Sequence, residues 1–515
     1  MSSLKRSLVL LSFVLTMAIS SGHAQQPSKL KVPLAFTDHM VLQNGVEDPV
    51  WGTALAGTMV KVDFLDAQNK NLASLQAVAD SDGKWSVKLP PLTTGTTGEL
   101  QIIAGTEAPV VVHDVVVGEA WLCSGQSNMG YTINSPNMPP EWVARAQQEA
   151  TDAKGNIRFY DGKWEIGTPD TVGRCSAVAW NFAVALHDKL HCPIGLLVEA
   201  SPGTPVERWM LKAAVDATSV GPAIEKRYQD DAAKFPDLVK QANEADAAWL
   251  QANPTPELQA QHKGSRPKKP YRIIHVGELF NWYIQGLVPY GIKGVTWFQA
   301  DANRAHPEEY GELFKALITS WRQLWQTQLP FYYVEMNNML APQQTKPIEP
   351  GWLPILREQQ EAGLELPGVE VVTSIDTGDP VAVVMQPHFP NKKPVGERLA
   401  LLALNNLYGM PCEAHSPQYA SFTVEGNKIR VKFKYADGLR VRGGGKMIGF
   451  AIRGATGDWV WADGQIDGTD ILLSSDQVPQ PASVRYAWAF NPLISVENGA
   501  GLPLRPFRTD KTSQE

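Results

Sequence analysis

Cysteine is scarce: Cys123, Cys175, Cys192 and Cys412 are the only four in 515 residues, and no two of them form a CxxC pair. Two disulfides at most could form. A structural zinc site is not expected, and a chain of this length buries enough surface to fold without covalent staples. Excess charge of one sign is also missing. Lys and Arg number 46 against 53 Asp and Glu, a net charge of −7, and the basic runs are as short as Lys268-Lys269. Neither nucleic acid nor an anionic membrane is therefore expected as a partner. Beyond the N-terminus there is no stretch of about 18 uninterrupted apolar residues to cross a bilayer. Tandem repeats and low-complexity tracts are absent as well. With 43% hydrophobic residues, 19% charged and 16 Trp, the composition excludes disordered, collagen-like and coiled-coil chains.

At about 150 residues per domain the length suggests roughly three domains. The first residues read as a targeting segment. Lys5-Arg6, the apolar run from Leu8 to Ile19 and Gly22-His23-Ala24 follow the order of a secretory signal peptide. Cleavage after Ala24 and export, periplasmic or secreted, are expected. From residue 25 to 113 short apolar alternations broken by turn residues, such as Trp85, Val87 and Leu89 after Asp82-Gly83, predict a β-domain. Near Val115 the texture changes to continuous apolar runs. Val115 to Cys123, Ile194 to Val198, Gly294 to Phe298, Phe331 to Val334 and Val369 to Ile375 read as strands of a buried parallel sheet. Helical stretches at Ala177 to Leu190, Tyr310 to Trp325 and Val395 to Leu407 alternate with them, so residues 114–412 are expected to form a layered α/β domain. Residues 211–270, rich in polar helix formers, read as a helical insertion in that domain. The alternation of Ile429, Val431, Phe433 and Tyr435 opens a second β-domain over 413–515.

The sharpest chemical feature is the run from Gly118 to Met129, in which a buried strand ends in Ser124-Gly125-Gln126-Ser127. Such a turn puts Ser127 at the carboxyl edge of the sheet, where open α/β folds bind ligands. Free backbone N–H groups of a following helix could there stabilise an oxyanion. A helix N-cap serine is the bland alternative. The run is not the GxSxG elbow, because Met129 stands where the second glycine would be. Other candidates are weaker. His187 and His191 stand four apart as in HExxH zincins, but Asp188 replaces the glutamate and a solvated helix end fits better. Glu308-Glu309 could suggest glycosidase carboxylates, though charges on helices usually form a solvated face. Trp121, Tyr131, Trp209 and Phe298 are aromatic residues that could stack on sugar rings.

The string GEAWLCSGQSNM (118–129) resembles the nucleophile segment of the sialate O-acetylesterase family, a branch of the SGNH hydrolases. The resemblance continues in DHMVLQNGVEDPVWG (38–52), PIGLLVEASPGTPVERW (193–209), GVTWFQADAN (294–303), HFPNKKPVGERLA (388–400), VRYAW (484–488) and GLPLRPFRTD (501–510). It implies an SGNH-like three-layer α/β/α domain with a parallel sheet, flanked by N-terminal and C-terminal β-sandwich-like domains. It also implies a cofactor-free, metal-free serine esterase whose partner is an O-acetylated carbohydrate: a sialic acid ester, or a plant polysaccharide such as xylan or xyloglucan. Ser127 then corresponds to the nucleophile and His388 to the general base, with the Ser127 and Gly203 N–H groups and the Asn303 amide as oxyanion donors. Gln126, Gln299 and Trp209 are expected to contact substrate.

Three departures from the family pattern bear on activity. Gln386 replaces the aspartate two residues before the histidine, so Asp379 is the expected third member; Asp376, or Gln386 with a backbone carbonyl, is the alternative. Pro202 replaces a glycine and has no N–H to donate. Asp301 replaces a glutamate in Gln299-Ala300-Asp301-Ala302-Asn303. The alternative implied by these changes is a carbohydrate-binding protein that keeps the esterase fold without its catalysis.

Overall fold

The computed structural model describes residues 30–510 other than 271, 344–345, 349–350 and 379–387. The expected targeting segment, Asp379 and Gln386 lie outside the described residues. The strand Val110–Gly125 organises the rest. Its first residues pair antiparallel with Thr97–Ala104, and from Val115 to Gly125 every residue is buried. That second half is the continuous apolar run that both faces of a covered parallel strand require. It is flanked by Ile194–Ala200 on one side and Gly294–Phe298 on the other, both parallel to it. Phe331–Glu335 and Val369–Thr373 extend the sheet beyond Gly294–Phe298, and Ile157–Tyr160 extends it beyond Ile194–Ala200, all in parallel. Trp164–Ile166 then adds an antiparallel edge. The fold is therefore mixed α/β around a mixed central sheet.

Because these strands are parallel, their carboxyl ends share one edge. Gly125 is the register partner of Ala200 on one side and of Phe298 on the other, so three strand ends surround the residue that follows Gly125. Helix Ala177–Leu190 starts where the Ser176 side chain accepts a hydrogen bond from the Ala179 N–H, and stops at His191 in the left-handed conformation. It packs against helix Lys393–Asn406, which carries the segment after His388. Helix Tyr310–Trp325 buries Leu313, Phe314, Leu317, Ile318 and Trp321 at helical spacing.

Helices also occupy the polar stretch 211–270. The longest, Gly221–Ala252, has 32 residues and is tied back by a bidentate pair between Arg227 and Glu309 at 3.0 and 2.5 Å. Glu309 is thereby a structural anchor. On the N-terminal side, Met59–Asp66 pairs with Asn71–Val78 and Thr97–Ala104, and Asp48–Thr53 pairs with Lys84–Leu89. The apolar core runs without interruption from this β-region into the α/β part. The C-terminal part differs. A sheet of Gln418–Glu425, Lys428–Lys434, Asp470–Ser474 and Asp463–Asp467 shares its own core with a second sheet of Val460–Trp461, Phe450–Arg453, Ser483–Tyr486 and Phe507–Arg508. Buried charge joins it to the α/β part. Arg505 donates from Nε and Nη2 to Glu335 at 3.0 and 2.8 Å, with both side chains almost wholly buried. The four cysteines are unbridged.

Candidate active site

Gly125 has φ +141, and a Cβ there would lie 2.3 Å from the Phe298 carbonyl oxygen, so only glycine fits the end of this strand. The Gln126 N–H donates to that same carbonyl at 3.0 Å. The chain then enters the one-turn helix Ser127–Gly130, whose last N–H groups return to the Gln126 carbonyl. Ser127 is thus the first helical residue, half-buried at the carboxyl edge, and among the described residues no backbone carbonyl accepts its N–H. The neighbouring strand Ile194–Ala200 leads into Ser201-Pro202-Gly203, where the Ser201 N–H donates to the Gly125 carbonyl at 3.1 Å. Gly203 is exposed with φ +64, and its N–H has no backbone acceptor among the described residues. Pro202 beside it contributes no donor.

Asn303 follows the strand Gly294–Phe298 and is locked on three sides. Its Oδ1 accepts from the Val206 N–H at 3.0 Å and from Gln299 Nε2 at 2.9 Å, and its Nδ2 donates to Glu207 at 3.0 Å. An amide nitrogen carries two N–H bonds, so one remains for another acceptor. Glu207 is itself held by the Tyr228 hydroxyl, which donates at 3.2 Å from the helical insertion. Burial pushes the Glu207 carboxyl above its usual range, against the hydrogen bonds from its own backbone, Asn303 and Tyr228.

His388 is half-buried, with its ring 6.2 Å from that of Tyr131, just beyond the Ser127 helix. Burial depresses its basicity, the positive charge of Lys392 depresses it further, and the carboxylate of Asp301 acts in the opposite direction. Asp301 sits in the turn after Gly294–Phe298 and accepts a hydrogen bond from Gln126 Nε2. Its own carboxyl is raised by burial, offset by that hydrogen bond and by the charges of Arg304 and His388. Lys392 is 1% exposed. Its Nζ donates to Asn128 Oδ1 at 2.5 Å and lies 3.4 Å from the ring centre of Phe389, with Tyr131 and Phe298 at 5.2 and 5.7 Å.

The structure thus gathers Ser127, Gly203, Asn303 and His388 around one sheet edge, and revises three other expectations. Gln126 and Gln299, expected to contact substrate, are 2% and 0% exposed. Gln126 spends its amide on Asp301 and on the Ala300 N–H, and Gln299 donates to the Thr204 carbonyl and to Asn303. Trp209 is fully buried, stacked on Tyr283, and its Nε1 donates to Thr204. All three are turned into the protein interior in this structure, as are Trp121 and Phe298. Asp376 is claimed by Arg398 at 2.8 and 2.9 Å and by Arg442 at 3.1 Å, which hold its carboxyl below the usual range. His187 bonds the Cys192 carbonyl at the end of its helix. Sequence reasoning passed over Glu207, Tyr228 and Lys392; the only signal for the last was a lysine four residues after the histidine.

No family model matches the chain. The sialate O-acetylesterase of Rattus norvegicus is 28% identical over 350 residues, 59% of this chain and 59% of that protein. That of Mus musculus is 26% identical over 421 residues, 72% of each. A solved structure of a carbohydrate acetylesterase from Xanthomonas citri superposes with a TM-score of 0.73 at 28% identity, covering 94% of this chain and 100% of that one. The chain is thus similar to sialate O-acetylesterases over 59–72% of its length and to a carbohydrate acetylesterase over 94% of it. Proteins so named are carboxylic ester hydrolases. The chain spans 59% of the length of the rat sialate O-acetylesterase.

Proposed function

We propose that the protein hydrolyses O-acetyl esters on carbohydrate through an acetyl-enzyme on Ser127. The observation that carries this reading is the convergence of Ser127, the open Gly203 N–H, the locked Asn303 amide and His388 at one carboxyl edge. His388, kept neutral by its surroundings, takes the Ser127 proton as Oγ attacks the acetyl carbonyl carbon. The carbonyl oxygen, now negative, is held by the Ser127 and Gly203 N–H groups and by Nδ2 of Asn303. The bond to the sugar oxygen breaks as His388 returns the proton to it. Water, deprotonated by His388, then releases acetate. Asp301 balances the imidazolium electrostatically, the task of the triad carboxylate in other serine hydrolases.

The parallel sheet is, in this reading, the middle layer of an SGNH-type α/β/α domain at 114–412. The β-regions at 25–113 and 413–515 are β-sandwich-like flanking domains, and the chain is exported after cleavage behind Ala24. N-terminal sequencing of the exported protein checks the last point. The substrate class is O-acetylated carbohydrate, with acetylated sialic acid, xylan and xyloglucan as candidates. Acetate release from these three, compared between the native protein and Ser127→Ala, tests the reaction. We expect release from at least one of them and a loss of about 10⁴-fold or more in the variant. An active Ser127→Ala protein overturns the acetyl-enzyme, and a native protein silent on all three supports a carbohydrate-binding role.

A further inference from the structure

Ser127 and His388 are each followed closely by a residue that the fold joins to the other. Asn128 comes directly after the serine, Lys392 lies four residues after the histidine, and Nζ of Lys392 donates to Oδ1 of Asn128 at 2.5 Å. Asn128 is 1% exposed and stands 3.4 Å from the side chain of Asn337, beyond the strand Phe331–Glu335. The ammonium sits against the ring of Phe389, the residue next to His388, and within cation–π reach of Phe298 and Tyr131. Phe298 is the last residue of the strand beside the nucleophile, and its ring centre lies 6.3 Å from that of Phe389. Burying an ammonium is costly, and such a group persists where the surrounding acceptors and ring faces compensate it.

We propose that Lys392 is a positioning residue for the ester hydrolysis, a cationic clasp that holds the His388 segment in register on the Ser127 helix. The inference rests on the reading of Ser127 as nucleophile and His388 as base. In a triad the imidazole is registered by a carboxylate hydrogen-bonded to its far nitrogen. Here the clasp acts through backbone continuity from His388 to Lys392 and through the ring of Phe389. It also acts electrostatically. Among the described residues, the charged groups facing His388 are Lys392 from the start of helix Lys393–Asn406 and Asp301 from the turn after Gly294–Phe298; the Tyr131 hydroxyl, raised by burial, adds no charge near neutrality. While Lys392 is protonated, its positive charge disfavours the imidazolium and keeps the ring in its proton-accepting form to lower pH. The same burial pulls the Lys392 ammonium well below its usual value, while the acceptor on Asn128 and the ring faces favour keeping the proton.

The test uses 4-nitrophenyl acetate with the native protein, Ser127→Ala and Lys392→Met. The methionine keeps the length of the lysine side chain without its charge or donor. For folded Lys392→Met we expect kcat to fall about 100-fold, as a misplaced catalytic group does, with KM little changed. We also expect the acid limb of the kcat/KM profile to move to higher pH, because loss of the positive charge makes His388 easier to protonate. A variant with native kcat and an unmoved limb overturns the proposal. If Lys392→Met does not fold, Asn128→Ala decides, since it removes the acceptor of the clasp and leaves the lysine in place: kcat is expected to fall, and a native kcat overturns the proposal. A Ser127→Ala protein that stays active removes the nucleophile reading itself, whereas a dead Ser127→Ala beside a native-like Lys392→Met removes only the clasp.

Discussion

On the side of Ser127 proposed to hold the oxyanion, the Asn303 amide is fixed by Val206, Gln299 and Glu207, and Glu207 in turn by Tyr228 of the helical insertion. On the other side His388 sits between two opposite charges, Asp301 and Lys392, and beside a tyrosine ring. The difference fits the two proposed tasks. Donors for a developing oxyanion are effective when their dipoles are already aimed and do not reorganise, and a closed hydrogen-bond network provides that. A general base has to take up and release a proton at working pH, so what matters is the field around it, and two opposed charges can set that field.

Breaking each side should therefore give a different signature. The largest loss is expected for Asn303→Ala. It removes an oxyanion donor and should lower kcat about 100- to 1000-fold, with the acid limb of the pH profile unmoved. Asp301→Asn should lower kcat about tenfold, less than the roughly 100- to 10⁴-fold that an acid–base group itself contributes because Asp301 acts only through its field, and shift the acid limb. The negative charge of Asp301 favours protonated His388, so its removal lowers the histidine value and moves the limb to lower pH, opposite to Lys392→Met. Measured pH profiles of the two variants that shift in the same direction would contradict the opposed-charge description. The smallest effect is expected for Tyr228→Phe. Loss of one hydroxyl donor to Glu207, worth about 1 kcal/mol, should lower kcat about fivefold in steady-state assays without moving the limb. An unchanged kcat there would mean that the helical insertion does not brace the oxyanion side.

Much of this architecture was readable from pattern. Continuous apolar runs marked the parallel strands, since strands covered on both faces have no polar side. Helices Ala177–Leu190 and Tyr310–Trp325 have the bounds that their apolar periodicity predicts. The site was readable where a residue's position follows from its own strand, as with Ser127 after Gly125. It was less readable where the role depends on burial by distant segments. Gln126, Gln299 and Trp209 have side chains that could bind a sugar, and only the packing of the loops after Ala200 and Phe298 turned them inward. Asp376 was a reasonable partner for His388 by its place in the chain, but Arg398 from a helix and Arg442 from a turn of the C-terminal β-region compete for it.

The sequence by itself determined the order of strands and helices, the strand that ends in a serine and the resemblance carried by its motifs. These depend on local periodicity and on residues adjacent in the chain. Tertiary structure alone decided which charges face His388, that Tyr228 of the insertion braces Glu207, and that Lys392 lies buried against Asn128. Those relations join residues far apart in the chain, and their energies depend on the loss of water around them, which no local pattern encodes.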